Sequence, residues 1–176
     1  FTYGHDLMTV KEWGEGATLK IGAFCSLAEG LVILLGGNHR VEWATTFPCG
    51  HIFQAALGGE DIVGHPSTKG DEIIGNDVWI GRNTTILFGV TVGDGAVISA
   101  NSTVVKDVGP CEVWGGNPAT KFKDRFSKEI SEKLLEMQWW HWDTKAIRAA
   151  APLLSRTPDL DILESALQLS KNLDRA

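Results

Sequence analysis

Read from Ile74, the chain divides into blocks of six residues, IGNDVW, IGRNTT, ILFGVT, VGDGAV, ISANST and VVKDVG, and a branched aliphatic residue opens each one. The fifth place holds Val78, Thr84, Val90, Ala96, Ser102 and Val108, all small or β-branched, and the second is often glycine, at Gly75, Gly81 and Gly93. A helix would repeat its apolar stripe about every 3.6 residues. Two inward positions in every block instead predict short parallel strands joined by tight turns, with the opening aliphatic filling the interior and the small residue at a corner. The same phase runs through IGAFCS, LAEGLV and ILLGGN, opened by Ile21, Leu27 and Ile33, and then breaks between His39 and Ile73. Three blocks close one triangular coil, so roughly one coil is expected before the break and two after it, with weaker coils upstream near Leu19. The interruption, about residues 39–73, is a loop thrown out of the coil.

After Pro118 the pattern becomes helical. Ile130, Leu134 and Met137 form one apolar stripe for packing on the coil. Asp143 and the run Thr157-Pro158-Asp159 are helix starts, with an acceptor side chain at the cap and proline in the first turn. The tail reads as three short helices, and the chain divides into a coil domain over residues 1–118 and a helical extension over residues 119–176. The fold class is mainly β. Periodicity alone does not set the hand of the coil, and the general preference for right-handed parallel crossovers, about 98% of cases, points one way.

Composition narrows the function classes. With 43% hydrophobic and 22% charged residues, the 176-residue chain is globular and sized for one domain plus a tail. Its 16 Lys and Arg against 22 Asp and Glu give a net charge of −6, which repels a polyphosphate backbone, so nucleic acid is not an expected partner. Cys25, Cys49 and Cys111 are odd in number and too far apart for a CxxC motif. They read as reduced thiols and place the protein in the cytoplasm. The longest apolar run, Leu31 to Leu35, is far below the roughly 20 residues of a spanning helix, so no membrane is expected. The opening FTYGHD has neither the basic nor the apolar region of a signal peptide.

Five stretches carry a family resemblance: FCSLAEG at 24–30, GGNHR at 36–40 with WATTFP at 43–48, KGDEIIGNDVWIG at 69–81, VVKDV at 104–108 followed by VWGGNPA at 113–119, and EKLLEMQWWHWD at 132–143. Together they resemble the xenobiotic acetyltransferase family of hexapeptide-repeat proteins, whose members include the type B chloramphenicol and the streptogramin A acetyltransferases. The likeness runs from about Leu19 to Pro158. His141, where relatives usually carry Asp, and Cys49, where an aromatic is common, depart from it.

The resemblance implies a left-handed parallel β-helix and a homotrimer with active sites in the clefts between subunits, His39 coming from one chain and the Trp79 face from another. It implies acetyl-coenzyme A as donor, no metal, and a hydroxyl of an antibiotic-like molecule as acceptor, the activity of an antibiotic-resistance enzyme. It also puts the catalytic base at His39. The chemistry agrees, because an alcohol attacks a thioester poorly until its proton is being removed and a neutral imidazole accepts that proton near pH 7. A loop histidine taken by itself is an ordinary solvated or capping residue, and that remains the reading of His51 and His65. Gly36 and Gly37 would let backbone approach a ligand closely, and either Glu42 or a backbone carbonyl would orient His39.

By the same resemblance the pantetheine arm lies near Trp79, Ser99 and Ala100, with the turn around Asn117 closing over it. Lys106 and Lys121, with Lys123 and Arg125, suit the coenzyme phosphates. Trp43, Phe47 and Phe53 would wall an acceptor pocket beside the base, with Cys49 and Asn38 also touching the acceptor. Trp79 and Phe88 sit on outer faces that a neighbouring subunit would cover, whereas Trp139, Trp140 and Trp142 read as packing residues.

Three other readings fit parts of the pattern. An O- or N-acetyltransferase acting on a sugar or nucleotide-sugar would want a more polar loop. A carbonic-anhydrase-like metal site needs three converging imidazoles, yet His39, His51 and His65 share one loop instead of lying on successive coils. A non-catalytic scaffold would have no need of His39, Asn38 and Lys106 together.

Overall fold

A computed structural model describes residues 1–173. Strands are numbered in chain order. One sheet runs β1 (Thr9–Lys11), β4 (Val32–Leu34), β7 (Thr85–Ile86) and β10 (Thr103–Val104). A second runs β3 (Ser26–Leu27), β6 (Trp79–Ile80), β9 (Val97–Ile98), β11 (Glu112–Gly116) and β12 (Ala119–Asp124), and a third runs β2 (Leu19–Ile21), β5 (Glu72–Ile74) and β8 (Thr91–Val92). From β5 to β10 the chain visits the sheets in turn, and strands pair in parallel with those a coil away, as Trp79 with Val97, Thr85 with Thr103 and Ile73 with Thr91. Asn76 with Asp94, and Asn83 with Asn101, bond side chain to side chain at a separation of 18, the length of three hexads. This is a parallel β-helix of hexapeptide repeats.

The periodic positions fill its interior. Ile74, Ile80, Ile86, Val92, Ile98 and Val104 are all buried, as are the fifth-place residues Val78, Thr84, Val90, Ala96, Ser102 and Val108. Thr84 and Ser102 satisfy their hydroxyls within the coil by donating to the carbonyls of Gly81 (2.8 Å) and Ser99 (2.6 Å). Corners take left-handed backbone at Asp77, Asn83 and Asn101, residue types whose short polar side chains tolerate it. The coil extends further upstream than the clear hexads, because Tyr3 bridges to Ser26, β1 pairs with β4 and β2 with β5.

One interior position breaks the pattern. Glu72 opens β5 fully buried, and neither carboxylate oxygen has a hydrogen-bond partner. Burial pushes its pKa up to about 8.

Between β4 and β5 the backbone has no strand, only the short helix α1 (Gln54–Leu57) and an isolated bridge between Asn38 and Ser67. Coil register resumes across this segment. The backbone N–H of Ala23 donates to the side chain of Asn76 at a separation of 53, and Val32 pairs with Thr85. Ile73, expected at the end of the loop, lies in β5, because its backbone continues the third sheet.

Two compact units result, Phe1–Phe122 and Lys123–Ala176, the last three residues of the second lying outside the described ones. The helical tail was expected from residue 119, but Ala119–Asp124 forms β12 beside β11, so the chain stays in sheet past Pro118. Three helices then follow, α2 (Lys128–Met137), α3 (Thr144–Leu154) and α4 (Leu160–Leu173). Ser127 caps α2, Asp143 caps α3 by accepting from the N–H of Ala146 (2.7 Å), and Asp159 accepts from Ile162 (2.7 Å) at the start of α4. The stripe of Ile130, Leu134 and Met137 does not wait for the coil to cover it. It packs within this unit, against Ala150 and Leu153 of α3 and Leu163 and Ala166 of α4. Trp142 joins that core and donates its indole N–H to the carbonyl of Met137 (3.2 Å). Among the described residues no helix is long and apolar enough to cross a membrane.

Candidate active site

The segment between β4 and β5 is closed at its base by backbone pairing: the N–H of Asn38 donates to Ser67 (3.0 Å) and that of Ser67 to Asn38 (2.9 Å). Just below, Thr68 donates its hydroxyl to the carbonyl of Leu35 (2.6 Å) and the N–H of Gly37 donates to Glu15 (2.6 Å). Asn38, expected to touch the acceptor, is thus tied by its backbone to loop closure. Gly37 has φ +79°, and a Cβ there would lie 2.7 Å from a ring carbon of Trp13, while one at Gly36 would meet the carboxylate of Glu15. These glycines permit the close approach of the chain's own Trp13 and Glu15.

His39 follows directly. Its Nδ1 is 2.7 Å from the carbonyl oxygen of Thr46. A carbonyl only accepts, so Nδ1 donates, and in the neutral ring Nε2 carries the lone pair. Of the two candidate orienting groups, the backbone carbonyl holds the ring. Glu42 is engaged with Arg40 (3.4 Å), whose Nε donates to the carbonyl of Gly64 (2.7 Å).

Beside His39 lies His65, packed edge-on with ring centroids 4.6 Å apart at 78°. Trp43 stands 5.7 Å from the His65 ring. His65 is only 6% exposed, and neither ring nitrogen has a partner. A cavity of about 140 Å³ opens here, lined by Trp13, His39, Pro48, His51, Ile52 and His65 among others. Of the expected acceptor residues, Trp43 reaches the site through His65, whereas Phe47, Cys49 and Phe53 share the loop but do not line this cavity. Trp13 and Ile52 were not singled out from the sequence, Pro48 entered only within the WATTFP stretch, and His65 was read as an ordinary loop histidine. The paired glycines at 36–37, read as room for a ligand, were the signal for Trp13. Among the described residues no three His, Cys, Asp or Glu side chains are placed to share a metal ion.

The expected coenzyme residues fall in two groups. Trp79, on β6, is 56% exposed despite its size, in an outward row with Ser26 and Val97. Ser99 and Ala100 form the turn after β9, where the N–H of Ser99 donates to Trp114 (2.8 Å). A Cβ at Gly81 would lie 2.5 Å from the backbone nitrogen of Ala100, so this corner stacks tightly. The second group gathers around Trp114. Lys106 lies over its ring (5.3 Å), and Glu112 accepts from its indole N–H (2.7 Å), from the N–H of Gly109 (2.8 Å) and from Lys121 (2.8 Å). Partial burial works to raise the pKa of Glu112, but these donors outweigh it and hold the carboxyl below its ordinary value. Lys106 and Lys121 are therefore brought together, each already engaged by its own chain. Asn117 sits exposed in the turn between β11 and β12. Phe88, expected on an outer face, is half-buried with Lys69 over its ring (5.6 Å).

Comparison with known proteins places this architecture. Residues 73–106 match the family described as bacterial transferase hexapeptide (six repeats). A probable macrolide acetyltransferase of Lysinibacillus sphaericus is 45% identical over 152 residues, covering 84% of this chain and 83% of that protein. A chloramphenicol acetyltransferase of Agrobacterium fabrum is 44% identical over 145 residues, covering 80% of this chain and 68% of that protein. The crystal structure of a point mutant of AntD, an N-acyltransferase from Bacillus cereus, in complex with dTDP and coenzyme A, superposes with a TM-score of 0.52 at 19% identity, covering 73% of this chain and 64% of that one. That last likeness is one of fold alone.

Proposed function

Since the chain belongs to the hexapeptide-repeat xenobiotic acetyltransferase family, we propose that it transfers the acetyl group of acetyl-coenzyme A to a hydroxyl of an antibiotic-like small molecule, with His39 as general base. The observation that carries this reading is the bond from Nδ1 of His39 to the Thr46 carbonyl, which engages that nitrogen and supports Nε2 as the proton acceptor at the cavity. Nε2 takes the hydroxyl proton as the acceptor oxygen attacks the thioester carbonyl carbon. The tetrahedral intermediate then collapses, the C–S bond breaks, and the proton passes from Nε2 to the departing thiolate, giving an acetyl ester and free coenzyme A thiol. Two relatives similar over most of the chain, named for macrolide and chloramphenicol acetylation, support the antibiotic acceptor over a sugar.

The coil is left-handed in this reading, the segment between β4 and β5, expected at about residues 39–73, forms an ejected loop over the site, and the coil and helical parts are separate domains. The working form is a homotrimer in which the exposed face of Trp79 from one subunit meets the His39 loop of another, so the coenzyme passes Trp79, Ser99 and Ala100 toward Lys106, Lys121 and Asn117. Cys25, Cys49 and Cys111 form no disulfide among the described residues, which suits the cytoplasm.

Thiol release from acetyl-coenzyme A tests the proposal, measured with chloramphenicol, virginiamycin A and an amino sugar, for the protein and its His39→Ala variant. Release that depends on an antibiotic and is lost in the variant supports it. Equal release from both proteins removes His39 as the base, and release with the amino sugar alone replaces the acceptor class.

A further inference from the structure

The described residues include three buried side chains with unpartnered polar atoms, His65, Glu72 and Trp140, and His65 differs from the other two in lining the cavity at His39. A neutral imidazole offers one N–H and one lone pair. Here both are shut away from solvent and met by nothing. The edge-on contact with His39 at 4.6 Å asks only for a flat ring. A phenyl ring would make that contact and bury no polar atoms, so the packing gives no reason for the nitrogens. They gain something only when a group able to donate or accept enters the cavity. Its volume of about 140 Å³ is close to that which admits one benzene-sized group, so a substituent fits and a whole antibiotic does not. Trp13, Pro48 and Ile52 give the cavity apolar walls, and its polarity comes from the imidazoles.

We infer that His65 is an acceptor-binding residue that decides specificity: its ring nitrogens hydrogen-bond a neutral polar substituent, an amide or a second hydroxyl, of the molecule whose reacting hydroxyl is presented to Nε2 of His39. This rests on the acetyl-transfer reading above. His65 moves no proton in the reaction. It selects acceptors that carry a hydrogen-bonding group one small substituent away from the hydroxyl that is acetylated.

Steady-state kinetics with chloramphenicol and with virginiamycin A, each against acetyl-coenzyme A, test the inference on His65→Phe and His65→Gln. In His65→Phe the acceptor KM rises about tenfold, the worth of one hydrogen bond, while the KM for acetyl-coenzyme A stays put. His65→Gln, which keeps a donor and an acceptor, recovers most of the loss. An unchanged acceptor KM in His65→Phe, or a fall in kcat alone, overturns the inference and leaves the acetyl-transfer reading standing. A wild-type protein that turns over neither acceptor overturns both. Should the variants not fold, the wild type with coenzyme A bound and ¹⁵N-labelled histidine decides: adding chloramphenicol shifts the ring-nitrogen resonances of His65, and unmoved resonances sink the inference.

Discussion

The imidazole of His39 is anchored by Thr46, a residue seven positions along the same loop, through a 2.7 Å bond from Nδ1 to the backbone carbonyl. A carbonyl anchor does the orienting work of a carboxylate, with Nδ1 as the donor.

Removing the proposed base should leave the coil untouched. The His39 side chain is exposed apart from its contacts with Thr46 and His65. His39→Ala is expected to lower kcat by about 10²–10⁴ with an unchanged melting temperature. A variant within threefold of wild type would mean that another group takes the proton.

Glu42 offers the opposite expectation. Its carboxylate faces Arg40 across 3.4 Å in an exposed pair and does not touch His39. Glu42→Gln should leave kcat and both KM values within about twofold and shift stability by less than about 1 kcal/mol. A large fall in kcat would return the orienting role to the carboxylate.

Glu72 makes stability depend on pH in an unusual direction. Its carboxyl is protonated in the folded chain up to about pH 8, against an ordinary value of 4.5 once unfolded. Between those values the folded state binds the extra proton, so stability is greatest below 4.5 and falls as pH rises toward 8, by up to about 1.4 kcal/mol per pH unit. Thermal melts at pH 5 and pH 8 should show wild type losing stability and Glu72→Gln losing much less. Parallel losses in both proteins would assign the pH dependence to other groups.

Gly37 has no room for a side chain. Its φ of +79° and the Trp13 ring 2.7 Å from a built Cβ act together, so Gly37→Ala should cost about 1–3 kcal/mol. Because Trp13 and His39 line one cavity, activity should fall with it. Trp13→Ala in the same background should recover part of the stability, measured by urea unfolding, and no recovery would exclude the steric cause.

Trp79 tests the assembly. At 56% exposure on a flat sheet it is the large apolar side chain a neighbour would cover. If the proposed trimer forms through this face, Trp79→Glu should sediment as a monomer where wild type sediments as a trimer, and transfer should be abolished. A trimer that survives the change places the interface elsewhere.

How much of this was legible beforehand follows from the range over which each feature is determined. The hexad period is local: an aliphatic at Ile80 or Ile98 and a small residue at Ala96 or Ser102 must point inward wherever the coil closes, and they do. Helix starts at Asp143 and Asp159 are equally local, since a cap bonds an N–H three residues on. The period also showed where the coil is interrupted and so which histidine stands at its edge. It could not show what meets that histidine. The Thr46 carbonyl, the ring of His65 and the indole of Trp13 come to one place because an irregular segment is pinned by Asn38 and Ser67, and loops carry no period from which such contacts can be read. Tertiary packing likewise kept Ala119–Asp124 in the sheet and closed the helical stripe within its own unit. The coil was written in the order of its residues; the site around His39 exists only where the folded loop brings distant ones together.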